Sequence, residues 1–356
     1  MSIDLHAHAH DQPSIELHAH VPDQPSIDLH AHVLTHEMMR LMQGVSATYA
    51  PRLEGSTLVV GDVRYPNSPT GTWDLDERLA HMDATGVQAQ AVSVVPFTLG
   101  YDLEPRLAAE LCRVQNEQLA ALQRAHPSRF LPLACVPLQD PAAAAQEARH
   151  AVGELGLYGL GLGTRLPDHE FDWPGLEPVW STVEELGVPV MCHPGQRPSM
   201  PDLADYYLVN FIGNPLDTTI MVARLAFGGV LARHPRLELI LVHAGGFVPY
   251  QFGRFDHGWR VRQEPKVHLS EEPPSTFIRR ACYFDTIAHS QPALEYLVRT
   301  FGADHVVLGS DYPYDMGLDD PRAVLSALDP AAQEQIAARN AERLLNLKSG
   351  HRRRGA

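Results

Sequence analysis

Eight short runs rich in apolar and β-branched residues recur along the chain, separated by segments with helical periodicity. That alternation restricts the fold more than any other feature. The runs are Ile27–Leu29, Val87–Val95, Phe130–Val136, Leu157–Leu162, Val188–Cys192, Leu237–Val242, Ala281–Phe284 and His305–Leu308. One helical pattern starts at Asp74, with Leu75, Leu79 and Met82 on one face; others cover 104–125, 141–155, 174–186, 216–234, 291–301 and 331–346. Strands alternating with helices predict an α/β fold with parallel strands. Without a linker-like stretch, a single TIM-type (β/α)8 barrel fits better than two domains. A doubly wound open sheet is the competitor, but no GxGxxG follows the first strand to support it. Residues 33–73, rich in Gly, Pro, Ser and Thr, and residues 194–215 read as long loops after strands 1 and 5. In a barrel both lie at the C-terminal rim, where ligands bind.

Ahead of the barrel lies a repeat. Ser2-Ile-Asp-Leu-His-Ala-His8, Ser14-Ile-Glu-Leu-His-Ala-His20 and Ser26-Ile-Asp-Leu-His-Ala-His32 are near-copies twelve residues apart, joined by Asp-Gln-Pro. Three such short units bury little, so they make no solenoid. Only the third runs directly into the rest of the chain, and it is read as the first strand. Residues 1–24 are then a duplicated, mobile, His-rich tail, residues 25–347 one barrel domain, and residues 348–356 a basic tail in which Arg352–Arg354 is solvated.

Composition excludes several classes of function. With 28 Lys+Arg against 43 Asp+Glu, the formal charge of -15 argues against nucleic-acid or anionic-membrane binding. No stretch reaches the ~20 apolar residues of a membrane span, since Ile220–Leu231 is broken by Arg224. No apolar targeting segment precedes the repeat, so a soluble cytoplasmic protein is expected. The 4 cysteines form no CxxC pair, which removes a disulfide framework and a Cys-ligated zinc site. Histidine is abundant at 20, whereas Lys266 and Lys348 are the only lysines.

The chemistry-bearing residues sit where the strands end. His30 and His32 close the first run, one residue apart and therefore on one strand face. His193 closes the fifth run, His243 the sixth and Asp311 the eighth. A single histidine at a strand end is more often an ordinary loop residue. Imidazoles and a carboxylate together on strands 1, 5, 6 and 8 form an N/O donor set suited to zinc or a similar divalent ion. Other residues earn plainer readings: Cys192 as core, Asp285 and His289 as structural hydrogen bonders, His257 and Arg260 as helix residues. Thr164 and Arg165 face the mouth, with Arg165 a weaker candidate for substrate contact.

These residues belong to longer motifs: Asp28-Leu-His-Ala-His32, Gly161-Leu-Gly-Thr164, His193-Pro, Thr218-Thr-Ile220 and Phe227-Gly-Gly-Val230. The most specific are His243-Ala-Gly-Gly-Phe-Val-Pro-Tyr-Gln-Phe-Gly-Arg254 and Leu308-Gly-Ser-Asp-Tyr-Pro313. From about Ser26 to Leu347 the chain resembles the amidohydrolase superfamily, within it the branch of metal-dependent non-oxidative decarboxylases. Its nearest pattern is that of the aminocarboxymuconate-semialdehyde decarboxylases, with resorcylate and carboxyvanillate decarboxylases as relatives.

The resemblance implies that His30, His32, His193 and Asp311 hold one divalent ion, Zn2+ first, with Mn2+ or Co2+ as alternatives. It makes His243 the acid/base beside a metal-bound water, with Asp311 also catalytic. Arg254 would meet the carboxylate of a small acid substrate across a homodimer interface, and Arg64 is the nearest match to a second substrate arginine. Tyr314 stands at a substrate position where the nearest pattern carries Phe, and Gly195 where it carries a bulky aromatic. A lysine-bridged binuclear centre is excluded, because Lys266 lies in a polar loop and Lys348 in the tail. The expected activity is decarboxylation of a small aromatic or muconate-type acid. In it, protonation of the carbon bearing the carboxylate releases CO2, and Arg254 grips the anion in bidentate fashion. The same parts could hydrolyse a lactone or amide. A non-catalytic metal-binding protein, suggested by the His-rich N-terminus, is the third reading.

Overall fold

The computed structural model describes residues 26–195, 201–269 and 271–347. The eight runs become parallel strands: β1 Ile27–Val33, β2 Ala89–Val94, β3 Leu133–Ala134, β4 Gly159–Gly163, β5 Val190–His193, β6 Leu239–Leu241, β7 Cys282–Asp285 and β8 Val306–Val307. β3 to β8 pair in sequence order, and β1 pairs with β2. Two bridges close the ring. Gln90 pairs with Phe130, where Leu131 N–H donates to Gln90 O at 2.9 Å. At the other seam Ala31 pairs with Tyr312, and Leu29 N–H donates to Leu308 O at 2.8 Å. The fold is a (β/α)8 barrel. The duplicated tail of residues 1–24 and the basic tail of residues 348–356 lie outside the described residues.

Local chemistry explains the helix starts. Asp140 and Asp329 accept backbone N–H bonds from the first turns of helices that begin with Pro141 and Pro330. An acidic N-cap followed by proline at the first helical position satisfies one orphan donor and needs one fewer, worth about 1 kcal/mol per cap. Asp74 caps Leu75–Ala84 in the same way through Glu77 N–H at 3.0 Å. The strand residues Ile27, Ala89, Leu133, Tyr283 and Val307 share an apolar cluster with Ala341, Leu344 and Leu345 from the last described helix and its C-cap. That cluster fills the end of the barrel opposite the strand C-termini, leaving the other end for polar side chains.

The segment 33–73 is more ordered than its Gly, Pro and Ser content suggests. It holds a helix, His36–Val45, capped by Thr35, and a three-stranded antiparallel sheet of Arg52–Glu54, Thr57–Val60 and Val63–Tyr65. Strands of three or four residues are too short to show a period in sequence. The turns between them use Gly55 and Gly61 at φ 64° and 57°, where only glycine is unstrained.

One irregularity decides which way the first strand faces. Ile27 is level with Ala89, and His32 with Ser93. Ala89 and Ser93 are four residues apart and share a face, whereas Ile27 and His32 are five apart. A bulge between Asp28 and Ala31 absorbs the extra residue. It inverts the alternation, so Ile27 joins the apolar base while His30 and His32 point into the open end.

Candidate metal centre

Five side chains from four strand ends or their extensions meet at the barrel mouth. His30 Nε2 and His32 Nε2 lie 3.3 Å apart, and they stand 3.3 and 3.1 Å from Asp311 Oδ1. His193 Nε2 is 3.9 Å from the same oxygen. His243 Nε2 approaches the other one, Oδ2, at 3.5 Å. His30 and His32 are fully buried, while the His193 and His243 side chains keep 12% and 19% exposure towards the opening.

The outer ring nitrogens of His30, His32 and His193 are engaged, whereas His243 Nδ1 is buried without a hydrogen-bond partner. His30 Nδ1 faces the Asp285 carboxylate at 2.8 Å and His193 Nδ1 the Pro194 carbonyl at 2.6 Å. Both partners only accept, so both Nδ1 atoms carry hydrogen. Ser93 Oγ donates to Val94 O and therefore accepts from His32 Nδ1 at 3.0 Å. The Nε2 atoms of His32 and His193 then present lone pairs inward, and His30 Nε2 does so once its second proton is displaced. Lone pairs and a carboxylate packed this closely repel unless a cation lies among them. His193 Nε2 and Asp311 Oδ1 are indeed buried without a hydrogen-bond partner. Ligands at ~2.1 Å from a common ion sit about 3.0–3.4 Å from one another, which is the spacing of the His30, His32 and Asp311 atoms. The residues present fit a divalent ion.

The electrostatics agree. Burial lowers the pKa of His32 and His193, keeping them neutral as ligands must be. Burial also lowers His30, but Asp311 and Asp285 beside it outweigh that and raise it to about 10. Burial alone would raise Asp311; the surrounding histidines, His30 foremost, hold it well below the ordinary carboxylate range. The pocket calls for positive charge.

Asp285 organises the cluster without facing it. One oxygen accepts from His30 Nδ1 and, at 2.9 Å, from His243 N–H; the other accepts from Ala244 N–H at 2.7 Å and Ile287 N–H at 3.1 Å. His243 and Ala244 have φ of 54° and 52°, and Asp311 has φ of 59°. These left-handed conformations are costly for non-glycine residues. They turn the His243 and Asp311 side chains off their strand directions into the mouth, and Asp285 offsets part of the strain at His243. Sequence alone left Asp285 as an ordinary structural residue. Its position at the end of β7, the strand between those leading to His243 and Asp311, was the available signal.

The substrate-side residues scatter. Tyr314 is half-buried, its ring 5.8 Å from that of His32. Its hydroxyl is buried beside that of Thr72, and neither makes a hydrogen bond of normal length. Burial, then Asp311, push the phenol well above its ordinary pKa, so it stays a donor. Arg64 is exposed on the small antiparallel sheet, with Nη1 2.7 Å from Glu54 Oε2. Arg165, two residues beyond β4, stands 3.5 Å from the buried carboxylate of Asp217. Arg254 lies on the helix Val248–Val261, exposed, lining a cavity of about 440 Å3 with Leu216, Phe227, Phe247 and Phe255. Cys192 is fully buried, and His289, exposed, bonds Met316 O. Lys266 lies over the Trp259 ring in a peripheral turn.

Comparison with known proteins places this geometry. The amidohydrolase family model matches residues 3–347, beginning within the first copy of the repeat. The chain is 30% identical over 278 residues to 2-amino-3-carboxymuconate-6-semialdehyde decarboxylase from Dictyostelium discoideum, covering 77% of each. It is 29% identical over 294 residues to gamma-resorcylate decarboxylase from Rhizobium radiobacter, covering 76% of this chain and 87% of that one. Among solved structures, 5-carboxyvanillate decarboxylase from Sphingomonas paucimobilis superposes with a TM-score of 0.78 at 26% identity, over 90% of this chain and 99% of that one. A barrel with this cluster at its mouth and a family match along nearly its whole length make the chain a member of the amidohydrolase family.

Proposed function

We propose that the protein is a metal-dependent, non-oxidative decarboxylase of a small aromatic or muconate-type carboxylic acid. The observation that carries this reading is the division of the cluster around Asp311. His30, His32 and His193 face Oδ1 at 3.3, 3.1 and 3.9 Å, whereas His243 faces the other oxygen, Oδ2, at 3.5 Å. Three imidazoles and Asp311 would hold one divalent ion, with Zn2+ favoured by the N-rich donor set and Mn2+ or Co2+ acceptable. Such an ion, when bound, supplies Lewis acidity and lowers the pKa of water to about 7.

His243 is then left to move protons. Its Nε2, beside Asp311 Oδ2, receives a proton from solvent and delivers it to the substrate carbon that bears the carboxylate, consuming one proton per turnover. The C–C bond to the carboxylate breaks, its electron pair restores the ring or diene, and CO2 leaves. Tyr314, a neutral phenol near His32, offers a hydrogen bond to a polar substituent of the substrate. Arg254 is exposed on a helix that also exposes Tyr250, at 82%, and follows the exposed Phe247, at 37%. It makes no hydrogen bond or ion pair among the described residues. We therefore assign it to a homodimer interface, reaching the carboxylate in the partner's mouth, with Arg64 a weaker second contact. The names of the three relatives reported above, each a decarboxylase of such an acid, support the substrate class.

The test is CO2 release from 2,6-dihydroxybenzoate, 5-carboxyvanillate and aminocarboxymuconate semialdehyde after loading with Zn2+ or Mn2+. Release by the wild type, its loss in His243→Asn with the metal content kept, and loss of metal in His193→Ala are expected. Removal of residues 1–24 should leave one ion per chain. Hydrolysis of lactones without CO2 release would replace the proposed reaction, and loss of all metal on truncation would point to the tail instead.

A further inference from the structure

Arg78 is fully buried, one of the largest side chains in the molecule to be so, and touches no carboxylate directly. It sits on the helix Leu75–Ala84, and its guanidinium spreads over three acceptors. Nη1 donates to Gln90 Oε1 at 2.9 Å, and Nη2 donates both to Gly71 O at 2.9 Å and to the backbone carbonyl of His32. Its carbon lies 4.7 Å above the ring of Tyr312, the residue after Asp311. Gln90 passes the contact on, its Nε2 donating to Asp28 Oδ2 at 2.9 Å. Asp28, also fully buried, accepts from His30 N–H at 3.0 Å, Ser310 N–H at 3.1 Å and Ser310 Oγ at 2.5 Å.

These contacts straddle the β8–β1 seam. Backbone pairing there runs from Leu29 N–H on Leu308 O to His32 N–H on Tyr312 O, and between them His30 O is shared by Ser310 N–H and Asp311 N–H. His30 and His32 lie on one side of the seam and Asp311 on the other, so any slip separates the two halves of the cluster. A buried guanidinium is expensive to desolvate, and nothing in the apolar packing requires one here. A planar fork is the side chain that can hold carbonyls in several fixed directions at once.

We propose that Arg78 is a positioning residue of the metal centre. Through His32 O directly, and through Gln90 and Asp28 to Ser310, it sets the distance between the His30/His32 pair and Asp311. The inference rests on the reading of that cluster as a metal site.

The test is the affinity for Mn2+ and the visible spectrum of the Co2+-loaded protein, measured on the full chain at 25 °C. Arg78→Lys keeps the charge but loses the fork. Loss of an outer hydrogen-bond partner typically weakens metal binding 10–100-fold, and an increase of about that size in Kd is expected, with altered Co2+ band intensities and a native circular-dichroism spectrum. Trp180→Phe, a buried change in the outer helical layer, serves as a control that lowers Tm without moving either readout. Wild-type affinity and spectrum in Arg78→Lys, with only the Tm reduced, would overturn the proposal. If Arg78→Lys does not fold, Gln90→Met decides by the same two readouts, since it severs Arg78 from Asp28 and leaves the grip on His32. A wild-type protein that binds no ion would instead refute the metal reading itself, and this inference with it.

Discussion

His30 sits between two carboxylates, and its proton is the most informative one in the protein. Its pKa is raised to about 10, while those of His32 and His193 are lowered. Near pH 7.5 the metal-free cluster therefore holds a proton on His30, and an entering ion must displace it. Calorimetry in buffers of different ionisation enthalpy should show about one proton released per ion. Apparent affinity should rise about tenfold per pH unit from pH 7 to 9 and level off as the pH passes about 10. A pH-independent affinity with no proton release would contradict this protonation pattern. The same shift fixes a sign for stability. The contribution of His30 to the metal-free fold is complete below about pH 6.5 and is lost as the pH rises through about 10. Asp285→Asn provides a second check, because it brings an NH2 group against N–H donors. It should cost about 3 kcal/mol in urea denaturation and weaken metal binding about 10–100-fold.

At the scale of strands and turns, the close approach of β7, β8 and β1 is set by a glycine. A Cβ on Gly309 would lie 2.9 Å from Asp285 Cβ and 3.1 Å from His30 Cβ. Gly309→Ala should therefore push the Asp285–His30 pair aside, destabilising the protein by about 1–3 kcal/mol and reducing metal affinity together with stability. Unchanged affinity would show that the strands can yield without moving the ligands. The elements themselves were largely legible in the sequence. The eight strands follow from β-branched runs, and the Asp-Pro pairs at 140 and 329 mark helix starts because cap and proline preferences are local. The bulge in β1 was not legible, since it depends on register with β2, a partner some sixty residues away. Nor were the left-handed His243 and Asp311, which no residue preference marks, or Arg78, which reads as one more charge on an amphipathic helix until its burial is seen. Arg254 was picked out by its motif, and in the single chain it is exposed on its helix, lining a cavity with Phe247 and Phe255.

For the molecule as a whole, that exposed face is a testable surface. Phe247 and Tyr250, beside Arg254 in sequence, are exposed large apolar residues, at 37% and 82%. Sedimentation velocity should give a dimer for the wild type and a monomer for the double variant Phe247→Glu, Tyr250→Glu, with metal content unchanged. A wild-type monomer at micromolar concentration would remove the interface. None of the described helices is long and apolar enough to cross a membrane. The β8–β1 seam carries its own consequence for kinetics. Donors from both of its sides converge on the cluster, so an ion bound there would act as a latch between the eighth strand and the first. Its residence time should then follow the rate at which the barrel opens locally, and the amides of His32 and Asp311 should gain more hydrogen-exchange protection on metal loading than those of Leu162 and Cys192.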